Sequence, residues 1–259
     1  MPICAYCKKE SKLTKEHIWP DCVLKRRKHK TAHFSPKSKK VHAGDYIVKD
    51  VCAECNNIIL SELDSYFCKL YDQYFQNQFD QNEEIEFKYD FNLLARALLK
   101  IAYNTVRSAM SDKKVLEGTA PYILGKLNSL NNLSLLLKLI KTYNEIPLKE
   151  YGIKINKVPT LGYRSAYVEI RPPAGDKVLC RLVSINSFYF FIFIPKIELT
   201  QNDFQNITTE ALSETKNSVL LNMDGVVSVK VSDADEIGPS SLYQHIVQNY
   251  SKYNNFFKK

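Results

Sequence analysis

The chain has 259 residues, 45% hydrophobic and 25% charged, a balance that excludes a disordered or fibrous protein and supports a buried core. Its longest apolar run, Phe188 to Ile194, falls far short of the roughly 18 to 20 residues that span a bilayer, and the N-terminus lacks a secretory pattern, so a cytoplasmic protein with no membrane partner is expected. The net charge of +8 is concentrated, with 13 Lys or Arg against 4 Asp or Glu in residues 1–49 and near-neutrality after them.

In chain order, the first feature is a pair of C-x-x-C knuckles, Cys4-Ala-Tyr-Cys7 and Cys52-Ala-Glu-Cys55, separated by 44 residues. Each knuckle presents two thiolates from one tight turn, and two knuckles supply the four sulfurs of a structural tetrahedral Zn²⁺ site. Such a site has no open position, so any chemistry must lie elsewhere. The total of seven cysteines is odd, which together with a reducing compartment argues against a disulfide framework; Cys22, Cys68 and Cys180 are read as small apolar residues or exposed thiols.

Between the knuckles stands Lys15-Glu16-His17-Ile18-Trp19-Pro20. A neutral imidazole can take a proton from water near pH 7, and a carboxylate is a hard ligand for Mg²⁺ or Mn²⁺. Neighbours on an extended segment point to opposite sides, which lets Glu16 hold a metal while His17 activates water. Trp19 is expected to pack against the zinc unit. The basic stretch that follows offers Lys15, Lys25, Arg26, Arg27, Lys28, Lys30, Lys39 and Lys40 to a phosphate backbone, whose counterions they would release. His29, His33 and His42 are read as solvent-exposed loop residues.

Apolar periodicity becomes regular after Cys55. Ile59, Leu60, Leu63, Phe67 and Leu70 recur at helical steps, so a helix is predicted from about Asn56, with an asparagine suited to capping its first turn. Residues 71–90 are rich in Gln, Asn, Asp and Glu, and the domain boundary is placed there, between units 1–75 and 90–259. A second helix is predicted on Leu93, Leu94, Ala97, Leu98, Ile101, Ala102 and Val106, ending near Ser111. Further helices are predicted for Pro121 to Leu130, Leu133 to Tyr143 and Ser240 to Phe257. Strands are predicted at Ala166 to Arg171, Val178 to Ser184, Phe188 to Ile194 and Val226 to Val231, with Asn186 and Ser187 turning the middle pair. The expected class is α+β: a small zinc-stapled module followed by a mixed helical and antiparallel-β domain for recognition, oligomerisation or regulation.

The knuckle, the Glu16-His17-Ile18-Trp19-Pro20 segment and Val51-Cys52-Ala-Glu-Cys55-Asn56-Asn57 leading into a helix together resemble the zinc-containing, four-cysteine branch of the HNH endonuclease family. The resemblance covers about residues 1 to 70. It implies a treble-clef-like ββα-metal fold in which a hairpin and a helix straddle one catalytic divalent ion, Mg²⁺ or Mn²⁺. His17 would then match the general base and Glu16 the usual aspartate ligand, with Asn56, or Asn57 beside it, completing the metal site. No histidine stands directly after Cys55, and no asparagine stands at the family's middle position before Cys52. The resemblance further implies a nuclease acting on nucleic acid, DNA ahead of RNA, of a kind found in bacterial restriction and antiviral defence, working as a homodimer or with a defence-system partner protein. Two alternatives stay open: a non-catalytic zinc module that binds nucleic acid as a regulator, and an effector nuclease controlled by a partner protein.

Overall fold

A computed structural model describes residues 1–26, 32–35, 40–43, 47–109, 112–141, 163–215 and 217–232. In chain order, β1 (Leu13–His17) leads into α1 (Asp21–Arg26), then β2 (Ala32–Ser35), β3 (Lys40–Ala43) and β4 (Ile47–Cys52). A continuous helix follows, wound as π over Cys55–Leu60 and Tyr71–Phe75 and as the α-helix α2 (Ser61–Leu70) between them. Next come β5 (Glu84–Lys88), α3 (Phe91–Ala109), α4 (Lys113–Glu117), α5 (Ala120–Ile123), β6 (Ser134–Ile140), β7 (Tyr163–Val168) and α6 (Ala174–Lys177). The described chain closes with β8 (Val178–Ile185), β9 (Phe188–Pro195), α7 (Gln201–Glu214), β10 (Ser218–Leu220) and β11 (Val226–Ser232). The mixture of helices with mainly antiparallel sheets is α+β.

β1 pairs with β4, and β2 with β3, as separate antiparallel two-stranded units. The large sheet runs β5-β11-β6-β9-β8-β7, with β10 and β11 taking successive lengths of one edge of β6. Both faces of this sheet are covered. One carries the main core, and α7 brings Phe204 against Leu136, Cys180 and Phe193 on the other.

That double burial explains the one element assigned to the wrong class. Leu133 to Tyr143, predicted helical, contains β6, whose residues Leu135 to Ile140 are all buried. A continuous apolar run does not show which period it follows, and here the central place in a sheet decides. The helix predicted from Pro121 to Leu130 shrinks to the four residues of α5 before the chain turns at Gly125, in the left-handed region at φ 69°. The predicted strands are present with small shifts of their ends, and Asn186, at φ 50°, turns β8 into β9 while its amide donates to the Phe75 carbonyl at 2.6 Å. α1, β5, α4, α6, α7 and β10 have no counterpart among the predicted elements, and His33 and His42, expected in a loop, pair across β2 and β3. The helix predicted for Ser240 to Phe257 lies outside the described residues.

Residues 71–90, the polar stretch where the boundary is placed, contribute five buried aromatics: Tyr74, Phe75, Phe79, Phe87 and Tyr89. Phe75 sits 4.8 Å from Phe188 and 5.2 Å from Phe67 between ring centroids, so the helix following the knuckles packs through it onto the large sheet. The buried cluster runs without interruption from Cys4 to Val231. Among the described residues no helix is long and apolar enough to cross a membrane.

Candidate metal centre and its surroundings

The four knuckle cysteines converge: the sulfurs of Cys4, Cys7, Cys52 and Cys55 lie within 4.8 Å of one another. Tetrahedral zinc with Zn–S bonds of about 2.3 Å puts neighbouring sulfurs about 3.8 Å apart, and Cys7 Sγ to Cys52 Sγ is 3.7 Å. The donor set and spacing fit a metal such as zinc. The electrostatics fit too. Burial works against a thiolate at Cys4, but backbone groups of Cys52, Cys7 and Tyr6 outweigh it and bring the thiol down to about 7. Burial pushes the Cys52 and Cys55 thiols up, and the crowded neighbouring sulfurs add to this. Four thiolates packed this closely repel one another until a dication neutralises them, so metal uptake would release protons.

β1 and β4 are joined with a bulge, because Thr14 faces Val51 whereas Glu16 faces Val48. The extra residue falls on β4, where it re-aims the backbone. There the Asp50 carbonyl accepts from the Ala5 N–H at 2.8 Å, tying β4 to the first knuckle. The second knuckle passes directly into the long helix, whose first turn carries Asn56. The expected capping role is not what Asn56 performs: its amide nitrogen donates to Thr14 Oγ1 at 2.9 Å and to the Lys15 carbonyl at 2.8 Å, pinning helix to strand. Asn57 is exposed, and its carbonyl accepts from Ser61.

Glu16 and His17 do point to different environments, as neighbours on a strand should. Glu16 is 4% exposed and turns inward. Its Oε1 lies 2.6 Å from the Lys100 ammonium, which also meets Asp64 Oδ1 at 2.5 Å. Burial opposes the charge on Lys100, but Asp64 and Glu16 outweigh it and hold the ammonium firmly protonated. Burial raises the Glu16 carboxyl, with Lys100 pulling the other way. His17 is only half-buried, and its imidazole has no hydrogen bond or ion pair among the described residues. Trp19 packs at 4.9 Å from Tyr163 and 6.1 Å from Phe67, so it joins the four-cysteine unit to the large sheet.

Of the basic residues proposed for phosphate contact, Lys15 is exposed, Lys25 pairs with Asp21, and Arg26 meets Asp72 at 2.7 Å. Arg27, Lys28, Lys30, Lys39 and the side chain of Lys40 lie outside the described residues, as do the side chains of His29, His33 and His42. Cys22 and Cys68 correct the reading of them as small apolar residues or exposed thiols: they form a disulfide joining α1 to α2, with Cα atoms 6.2 Å apart. Their sequence separation of 46 gives no motif, and only the folded packing of α1 on α2 reveals the pair. Cys180 is buried among apolar groups as expected.

The residues missed altogether lie on α3. Lys100, Tyr103, Asn104 and Arg107 repeat at i, i+3, i+4 and i+7, one stripe of the helix. Every one of them meets the four-cysteine unit. Tyr103 donates to the Ala5 carbonyl at 3.2 Å, while the Arg107 guanidinium covers the Tyr6 and Tyr103 rings and reaches Asp50 at 3.2 Å. The helix was read for its apolar face, and the polar stripe beside that face was the available signal.

No protein-family model, curated protein or solved structure matches the chain. The likeness to HNH enzymes rests on the motif residues alone.

Proposed function

We propose that this chain is a metal-dependent endonuclease of the HNH type, with His17 as the general base that activates water against a phosphodiester bond, DNA being favoured over RNA. The observation that carries the reading is the state of His17. A half-buried imidazole without a hydrogen bond or ion pair among the described residues, at the end of a hairpin stapled by four cysteines to a helix, is available to take a proton from water. The basic stretch starts just beyond, after Arg26, and supplies attraction to a polyanion.

Mg²⁺ or Mn²⁺ would contribute Lewis acidity at the phosphate. Of the groups expected to hold it, Glu16 is engaged by Lys100, Asn57 is exposed, and Asn56 bonds β1 through its amide nitrogen. No step is therefore derived through that ion. The same engagement of Glu16 favours a second reading, a non-catalytic zinc module that binds nucleic acid, in which the carboxylate serves packing only.

The deciding experiment incubates the purified chain with plasmid and with RNA, in Mg²⁺, Mn²⁺ or EDTA, beside His17→Ala. Cleavage that needs the metal and disappears in His17→Ala, with zinc content and binding retained, is expected. Binding without cleavage in every metal would replace the nuclease reading with the second one.

A further inference from the structure

We propose that Asn104, far outside the motif region, is a positioning residue for His17. The inference rests on the nuclease reading of that histidine. Pairing of β1 with β4 ends at His17 opposite Ile47, so the last residue of the strand needs another restraint on its backbone. Asn104 provides it. Its side-chain amide donates to the His17 carbonyl at 3.2 Å and to Glu16 Oε1 at 3.3 Å, so one group grips both residues of the Glu-His pair.

The amide is itself held. Its oxygen accepts from the Tyr6 hydroxyl at 2.6 Å and from Arg107 at 2.8 Å, and Asn104 is wholly buried. Tyr6 lies between Cys4 and Cys7, so the first knuckle holds this donor in place. Both donor and acceptor ends of Asn104 are thus used, and its orientation is fixed. The carbonyl it holds belongs to the residue whose Cα–Cβ direction aims the imidazole. On the other side, Ile18 and Trp19 are buried and fix the chain leaving the strand. The zinc knuckle, Asn104 and His17 form one rigid relay from α3 to the end of β1.

A positioned group loses rate when its support is removed, because displacement of the reacting atoms by about 1 Å costs up to about 100-fold. Asn104→Ala is therefore expected to lower kcat about 10- to 100-fold with KM unchanged and one zinc per chain retained. The second readout needs no cleavage. In protein carrying ¹³C-histidine, the Cε1–Hε1 cross-peak of His17, assigned by its loss in His17→Gln, is expected to shift or broaden in Asn104→Ala. A kcat within about twofold of the parent, or an unmoved cross-peak, overturns the inference. Should the parent chain not cleave, the nuclease reading fails, and the cross-peak alone decides whether Asn104 sets the imidazole. If Asn104→Ala loses zinc or unfolds, Asn104→Gln, which keeps donor and acceptor but shifts their reach, takes its place. Folded Asn104→Gln with parental kcat and cross-peak overturns the proposal equally.

Discussion

The four-cysteine unit and the seven-stranded sheet are held by different forces. In the sheet, β8 buries all eight of its residues and β6 six of seven, and the rings of Phe75, Phe87, Phe188 and Phe190 pack against one another. Apolar burial at about 25 cal/mol per Å² is enough to organise such a region. The N-terminal unit has short strands, a bulge and a charged interior. It depends on sulfur donors, a buried Lys100 between two carboxylates, and a fully used amide at Asn104. A sheet of this kind tolerates conservative apolar change, whereas a polar network fails when one member is removed.

The largest expected effect is removal of the metal. A chelator strong enough to strip zinc, or Cys55→Ser, is expected to disorder the N-terminal unit, since structural zinc contributes about 10 to 16 kcal/mol in small fingers. The test is metal content beside hydrogen exchange of residues 1–60, with the β8–β9 amides staying protected. Should the two regions unravel together, the contrast between them is lost and they behave as one cooperative unit.

Lys100→Met comes next. It leaves Glu16 and Asp64 without their cation, and breaking one partner of a buried ionic group costs about 3 to 5 kcal/mol. Denaturant titration measures it, and a loss below about 1 kcal/mol would mean that water reaches this site freely. Phe75→Ala belongs on the same scale, about 3 to 5 kcal/mol, because a fully buried ring is replaced by a cavity. Its loss is expected to fall on both regions at once, since Phe75 touches Phe67 on one side and Phe188 on the other. Reducing Cys22–Cys68 should cost about 2 to 4 kcal/mol by freeing the unfolded chain, read as a lower melting temperature in dithiothreitol that Cys22→Ser reproduces. The smallest effect is expected at Lys8, whose ion pair with Glu117 is on the surface: Lys8→Ala should change stability by less than about 1 kcal/mol.

The parts legible in the sequence follow the same division of forces. Cys4, Cys7, Cys52 and Cys55 were recognisable because metal ligation imposes fixed spacing, and Leu60, Leu63, Phe67 and Leu70 because helical burial imposes a period. The hairpin at Asn186 was recognisable from its turn chemistry. β6 was misread because burial on both faces erases the alternation that marks a strand. The Cys22–Cys68 bond and the α3 stripe were hidden for another reason: each joins residues distant in the chain, and Asn104 reaches His17 across 87 positions. Pairings of that kind carry no local pattern. Lys100, Asn104 and Arg107, recurring along one side of a long helix, are the visible hint that polar partners stand opposite.

The cysteine knuckles lie on either side of the most basic stretch of the chain. α1 departs from the end of β1 and β4 returns at Ile47 to the same hairpin, so the intervening residues are tethered at both ends to one stapled platform. For the polyanion ligand proposed above, closing those ends in advance would remove part of the entropy that a free cationic tail loses on binding. On that proposal, stripping a metal from the four cysteines should weaken adhesion to phosphates even though no lysine or arginine has been touched.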